Sequence, residues 1–416
     1  MAHLIPQPWR HELRRRQRLW QLRRLQSGSG AGAHSDDPVT VYGLFSSASG
    51  LGQAVRLLAD NLEQIGRTVH RIDVTAHLHG TGPAQTPVAT TSLTRDPGWG
   101  PIIWHLNPVE AAEVMVALPP PCLAERPRIG MWLYELNAAP ARWRSYVPLF
   151  HAIWSPSDAS AAAMKSLGAD AVTVPYCHTD ICDVHAARAD TSPPVFTVLA
   201  MADARSSLAR KNIAGAIAAF RCAFDQTDQQ VRLRVKVSHL PDDAPLRDAI
   251  RACPQAELIE SRLSFRSTLS LMAEADTFLS LHRGEGYGLT LVESMQMGVP
   301  VIMTDEPSTR ALQLAGSSWT TPSHTVPVRD PQAIYRSGHW AEPDLTVAAK
   351  HLTKLRQDWR SGALATGREG RIRSAAHIFS GPARLDGLRA ALAALPQTIA
   401  PQAELRRVAM REASAT

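Results

Sequence analysis

Cysteine is scarce in this chain: Cys122, Cys177, Cys182, Cys222 and Cys253 among 416 residues. An odd number without paired spacing excludes a disulfide scaffold and predicts reduced thiols in a cytoplasmic setting. No run of 18 apolar residues occurs, so no helix is expected to cross a bilayer. The N-terminus lacks the apolar core of a secretory signal. There is no internal repeat beyond two similar halves. One cluster, Cys177, His178, Cys182 and His185, has the ligand types of a zinc site but the spacing of no familiar finger. No metal is expected.

What is present is an alternation of apolar strands with helices, which predicts parallel sheets in βαβ units and an α/β fold. With 44% hydrophobic residues, the chain is long enough for two cores. A polar stretch ending in Pro193 and Pro194 marks a domain break. The expected division is a basic arm and flexible linker (1–37), an N-terminal domain (38–190), a C-terminal domain (191–382), and a crossing helix with tail (383–416).

The most informative segment runs from 276 to 303. Asp276 to Leu281 reads as a buried strand and Val299 to Met303 as another. Between them lie a glycine turn (Gly284, Gly286, Gly288) and a helix from Leu289 to Met297. A strand, glycine turn and helix place free N–H groups and the positive end of the helix dipole where a phosphate can bind. Glu293 lies on that helix, where its carboxylate can accept two hydrogen bonds from a ribose diol. Glu285 lies in the turn, beside the place a diphosphate and its attached group would occupy.

Two other segments have the same strand–turn–helix form. Val195 to Ala200 reads as a strand, followed by Asp203, Arg205, Arg210, Lys211 and Asn212 and then a helix from Ile213. Cations at a helix start are electrostatically misplaced without an anion. Two cations fixed here could stabilise the charge that grows on a diphosphate leaving group. Near the start, Val39 to Phe45 is followed by Gly50 and Gly52 in a turn before a helix from Ala54. This turn also allows a dinucleotide-binding reading with Asp73 as ribose ligand, but Val55 stands where that pattern wants a third glycine. His105, at the end of a strand from Pro101, is a candidate cleft residue, with a structural role as its alternative.

The segment from Ser280 to Ile302 resembles the donor-site signature of glycosyltransferase family 4, retaining enzymes of GT-B fold with two Rossmann-like domains facing across a cleft. The resemblance extends over most of residues 38–385, including Trp132, Tyr134, Glu135 and Leu136 and the stretch Ser155 to Ser157. It implies that Glu293 holds the nucleotide ribose and that Glu285 approaches the transferred sugar. Gly286, Tyr287, Gly288 and Leu289 would meet sugar and phosphate. Gly50 and Gly52 would line the cleft opposite, and Arg205 and Lys211, spaced by six residues as the family spaces an Arg and a Lys, would stabilise the leaving group; His105 stays a catalytic candidate from its strand-end position alone. The absence of an Asp-x-Asp pair argues against the metal-dependent type, so neither metal nor other cofactor is expected. The implied substrates are a nucleoside diphosphate sugar, with GDP-mannose the first donor suggested, and a saccharide or lipid-linked acceptor. Two other classes compete: a non-catalytic scaffold of the same fold, and a Rossmann oxidoreductase.

Charge is unevenly placed. Residues 1–26 hold seven arginines against Glu12, a balance of +6 that equals the net charge of the whole chain. A nucleic-acid binder would be expected to carry its basic surface on the folded body, so no nucleic-acid partner is expected. The arm has two readings. One is an anionic membrane surface at the inner face, which Trp9, Leu13 and Trp20 on one helical side would suit; the other is a solvated, disordered segment.

Overall fold

The computed structural model describes residues 7–22, 30–31, 37–80, 90, 100–118, 123, 126–178, 181, 195–395 and 398–399. Sixteen strands are defined among them: β1 Gly30–Ala31, β2 Val39–Gly43, β3 Val69–Asp73, β4 Ile102–Trp104, β5 Arg128–Met131, β6 Ala152–Ser155, β7 Ala171–Thr173, β8 Phe196–Asp203, β9 Val231–Ser238, β10 Ala256–Ile259, β11 Thr277–Ser280, β12 Val301–Thr304, β13 Ser318–Thr321, β14 Ser323–Pro327, β15 His339–Pro343 and β16 Thr398–Ile399.

They form two six-stranded sheets in the orders β3-β2-β4-β5-β6-β7 and β10-β9-β8-β11-β12-β13. Every pairing in both sheets is parallel. The strands read as near-continuous apolar runs because helices cover both faces; β2, β4, β5 and β12 are buried at every residue. Two antiparallel pairs, β1 with β16 and β14 with β15, lie outside these sheets.

The strand order places the functional elements. In the first sheet the order reverses between β2 and β4, and in the second between β8 and β11. At such a switch point the loops leaving neighbouring strands diverge and open a crevice at the carboxyl ends. The four segments that leave these strands carry Gly50 and Gly52, His105, Arg205 with Lys211, and Glu285.

The domains share one apolar cluster. Val39 and Val41 of β2 and Phe45 just after it belong to it with Tyr287, Leu291 and Val292 of the second domain. Leu388, Ala391 and Leu395, from the helix Ala383–Ala393 and the residues after it, join the same cluster. His178 N donates to Phe379 O at 2.8 Å, so the last helices lie against the connection between the domains.

The basic N-terminal segment is described over residues 7–22. It forms a helix, Gln7–Gln21, that is docked on the first domain. Leu22 is buried and Leu19 half-buried against that domain's core. Arg18 pairs with Glu113 at 2.7 Å, and Arg15 donates to Ser145 Oγ at 2.7 Å. Leu13 and Trp20, which the sequence places on one helical side, are exposed, and Leu19 and Leu22 face the domain.

Candidate active site between the two domains

Glu285 is the electrostatic centre of the cleft. The turn from β11 turns its side chain inward, where Lys211 Nζ forms an ion pair with Oε1 and Arg210 stands 3.4 Å away. Burial alone would raise the carboxyl, but Lys211, then Arg210 and His282, outweigh it and hold it down at about 2. Glu285 is therefore ionised throughout the physiological range. His282 beneath it is fully buried, with Nδ1 3.0 Å from Ser280 Oγ and Nε2 3.6 Å from Glu306.

Glu293 has the opposite character. It is 5% exposed on the helix Leu289–Gln296. Burial pushes it up to about 7, and the charge of Arg56 only partly offsets this. Arg56 belongs to the other domain. Its guanidinium holds the end of the β2 loop, donating to Phe45 O at 2.7 Å and Ser47 O at 2.9 Å. The two acids are thus separated by partner: one sits on two cations, the other is buried with the charge of Arg56 only partly offsetting its burial.

The helix carrying Glu293 starts at Gly288, whose left-handed φ of 93° turns the chain into it. The amides before Leu291 have no helical carbonyl to bind, as at any helix start. The rest of the turn is fitted tightly to the first domain. A Cβ at Gly284 would stand 2.6 Å from Glu135 O, and one at Gly286 would stand 2.4 Å from a Leu133 methyl. Ser157 Oγ donates to Gly286 O at 2.6 Å. Leu289 meets the opposite domain at Gly50, where a Cβ would lie 4.0 Å from its methyl.

Gly50 and Gly52 lie within the first turn of the helix Gly50–Gln64 rather than in a loop before it. Ser49 caps that helix by accepting from Gly52 N, which starts it four residues earlier than the apolar pattern indicates. Gly52 has no room for a side chain: its Cβ would stand 2.1 Å from Ser47 O.

Arg205 and Lys211, paired by the family resemblance, are separated. Lys211 reaches Glu285, but Arg205 is 53% exposed and forms a two-pronged pair with Asp203, at 3.1 and 2.7 Å. β8 continues to Asp203, and the 3-10 turn Ala204–Ser206 begins on that carboxylate, which therefore captures the nearest arginine. Arg210, adjacent to Lys211 in sequence, is the second cation on Glu285, and it also donates to Gly284 O at 2.7 Å. Its adjacency to Lys211 is the available signal; the family resemblance points to Arg205 instead.

His105 is buried and belongs to a run of rings. Its Nε2 lies 2.8 Å from Tyr176 OH; the Tyr287 hydroxyl donates to Tyr176 O at 3.3 Å; His178 Nε2 is 3.2 Å from Tyr287 OH. Burial lowers His105 to about 4 and His178 to about 3, so both imidazoles are neutral. His105 Nδ1 has no hydrogen-bond partner. His178 thus stacks on Tyr287, and no group of three or more His, Cys, Asp or Glu side chains able to hold a metal occurs among the described residues. Cys182 and His185 lie outside them. The alternative ribose ligand, Asp73, is engaged locally, accepting from Thr75 N at 3.1 Å and Thr75 Oγ1 at 2.6 Å.

Residues 197–337, the greater part of the second domain, match a family model described as Glycosyl transferases group 1. No curated protein matches the chain. Among solved structures it is similar to HepE from Anabaena. The complex with UDP gives a TM-score of 0.60 and that with UDP-glucose 0.58, each at 14% identity over 86% of this chain and 100% of that one. An OtsA apo structure gives 0.55 at 10% identity, over 86% of this chain and 99% of that one. At these identities the likeness is one of fold. The chain has the GT-B fold, two Rossmann-like α/β domains facing across the cleft described, and the match to the group 1 glycosyltransferase model falls within the second.

Proposed function

We propose that this chain is a retaining glycosyltransferase that moves a hexose from a nucleoside diphosphate sugar to a hydroxyl of a glycan or lipid-linked saccharide. The observation that carries this is the buried, ionised Glu285 on Lys211 and Arg210, beside the start of the helix that bears Glu293. Breaking a bond between a sugar and a diphosphate leaves growing negative charge on the phosphate oxygens. A lysine has three donors, so Lys211 can hold Glu285 and still meet that charge. Glu293 would accept the ribose hydroxyls once ionised. The amides of Gly286 to Leu289 would line sugar and phosphate, and Gly50 would close the cleft from the opposite domain. The two chain cations would take the place of a metal.

HepE has been solved with UDP-glucose, which makes that donor the first to try beside GDP-mannose. A panel of nucleotide sugars tested for thermal stabilisation, followed by donor hydrolysis, tests the reading. A ligand at 100 times its dissociation constant adds about 2.7 kcal/mol. A chain stabilised by no nucleotide sugar would not be this enzyme. Binding without turnover in the presence of saccharide acceptors would favour the scaffold reading.

The same reading sets the enzyme against an anionic membrane surface at its cytoplasmic face. Leu13 and Trp20 are 52% and 67% exposed, and Arg16 and Gln17 between them complete an outward stripe on the docked helix. Leucine, arginine and tryptophan in this arrangement suit the headgroup layer, where a lipid-linked acceptor would be presented.

A further inference from the structure

Leu133 of the first domain takes the space that a side chain at Gly286 would need. The missing side chain has a second effect: it leaves the peptide that follows free to rotate. That peptide is trans, so its carbonyl and its N–H point in opposite directions. A flip at this place would exchange the Tyr287 N–H for the Gly286 carbonyl. Beside an anion, the flip would put an acceptor where a donor is needed. The turn does not hold itself against this, since none of the seven amides of residues 284–290 donates to a group among the described residues.

The first domain supplies the hold. Gly286 O accepts from Ser157 Oγ at 2.6 Å, and Ser157 is buried. Ser157 is also the N-cap of the helix Asp158–Lys165, where its oxygen accepts from Ser160 N at 3.2 Å. Capping occupies a lone pair, so the single hydroxyl proton is left for the carbonyl across the cleft. Ser160 Oγ lies 3.3 Å from the same carbonyl but is engaged with Tyr134. It donates to Tyr134 O at 2.8 Å and accepts from Tyr134 N at 3.2 Å. The residue on the other side of the peptide is held as well. The Tyr287 hydroxyl donates to Tyr176 O at 3.3 Å and lies 3.2 Å from His178 Nε2, both in the segment after β7. With its carbonyl turned onto the helix Asp158–Lys165, the peptide points the Tyr287 N–H away from that helix.

We propose that Ser157 is a positioning residue that locks the 286–287 peptide from across the cleft, so that its N–H and not its carbonyl faces the nucleotide diphosphate; this rests on the glycosyltransferase reading, which lays the donor along these amides. The lock forms only when the domains are in contact, so it ties nucleotide affinity to closure.

Ser157→Gly removes the hydroxyl and keeps a residue that caps helices nearly as well. A released peptide divides between two orientations, and nucleotide binds one of them, so affinity falls with the fraction left competent. The expected result is a rise of about ten-fold in the dissociation constant of UDP or GDP, whichever the wild type binds, with kcat within about two-fold of wild type. Lost capping alone would lower the melting temperature and leave that constant as it was; an unchanged constant overturns the lock. A fall in kcat at unchanged affinity overturns it too, because Ser157 would then act in the transfer step. Relaxation dispersion at the amides of Gly286 and Tyr287, measured on nucleotide-free protein, does not depend on activity. Exchange between two orientations should appear in Ser157→Gly and be absent from wild type. Exchange in both proteins, or in neither, overturns the lock. If the wild-type chain binds no nucleotide, the functional reading fails, while dispersion still decides whether Ser157 holds the peptide.

Discussion

Lys211 and Glu285 form an ion pair although 74 residues separate them in sequence. Each leaves a central strand of the second sheet, β8 and β11, at the point where the strand order reverses. The pair fixes the charge state of the cleft, and the first prediction follows from it.

Lys211→Ala and Arg210→Ala should each lower kcat by about 100-fold, the scale for removing one positioned charge stabiliser. Arg205→Ala should cost less than about ten-fold, because Asp203 already holds that side chain at the surface. Steady-state kinetics of the three variants with the donor found by stabilisation would check this. A larger loss from Arg205 than from Arg210 would mean that Asp203 releases its arginine when the donor binds.

Glu293 should make both stability and nucleotide affinity depend on pH. Its folded value, about 7, is raised above the ordinary 4.5. Ionising it in the fold is therefore unfavourable: the penalty is absent below the ordinary value, grows between the two, and is complete above about 7. Glu293→Gln should stabilise the nucleotide-free protein by about 2–3 kcal/mol at pH 8 and hardly at all at pH 4. UDP or GDP should bind wild type more tightly as pH rises through 7 and bind the glutamine variant with no such dependence. Denaturant melts and titrations at several pH values would show a flat difference if the assignment were wrong.

Gly284→Ala should impair catalysis beyond any effect on backbone freedom. Its Cβ would meet the main-chain carbonyl of Glu135, which cannot swing aside as a side chain can. The domains should separate slightly, and kcat should fall by about ten-fold or more. Gly370→Ala is the control: it lies inside the helix Ala363–Phe379 with nothing near its added methyl. It should raise stability by about 0.5–1 kcal/mol with unchanged kinetics.

Trp20→Glu combined with Leu13→Glu should abolish sedimentation with vesicles containing anionic lipid and leave donor hydrolysis at wild-type rates. High salt should release the unaltered chain in the same way. Equal sedimentation of both proteins would leave the exposed stripe without a lipid partner. Point substitutions are preferable to deletion here, since removing the helix would also uncover the core that Leu19 and Leu22 close.

Local patterns in the chain determined a good deal. Apolar runs alternating with helices required parallel sheets, because a fully buried strand needs apolar residues on both faces. The glycines around Glu285 required a close approach of backbone, and the position of Glu293 on the following helix placed it near the start of that helix. Those features depend on neighbours within a few residues, so order along the chain records them. Which cation reaches Glu285 is different. Arg205, Arg210 and Lys211 are equivalent by type, and only the capture of Arg205 by Asp203 and the burial of Arg210 against the glycine turn distinguish them. The charge state of Glu293 depends on walls contributed by two domains and on Arg56, more than two hundred residues earlier. Burial and distance between residues far apart in the chain are properties of packing, and packing alone decided them.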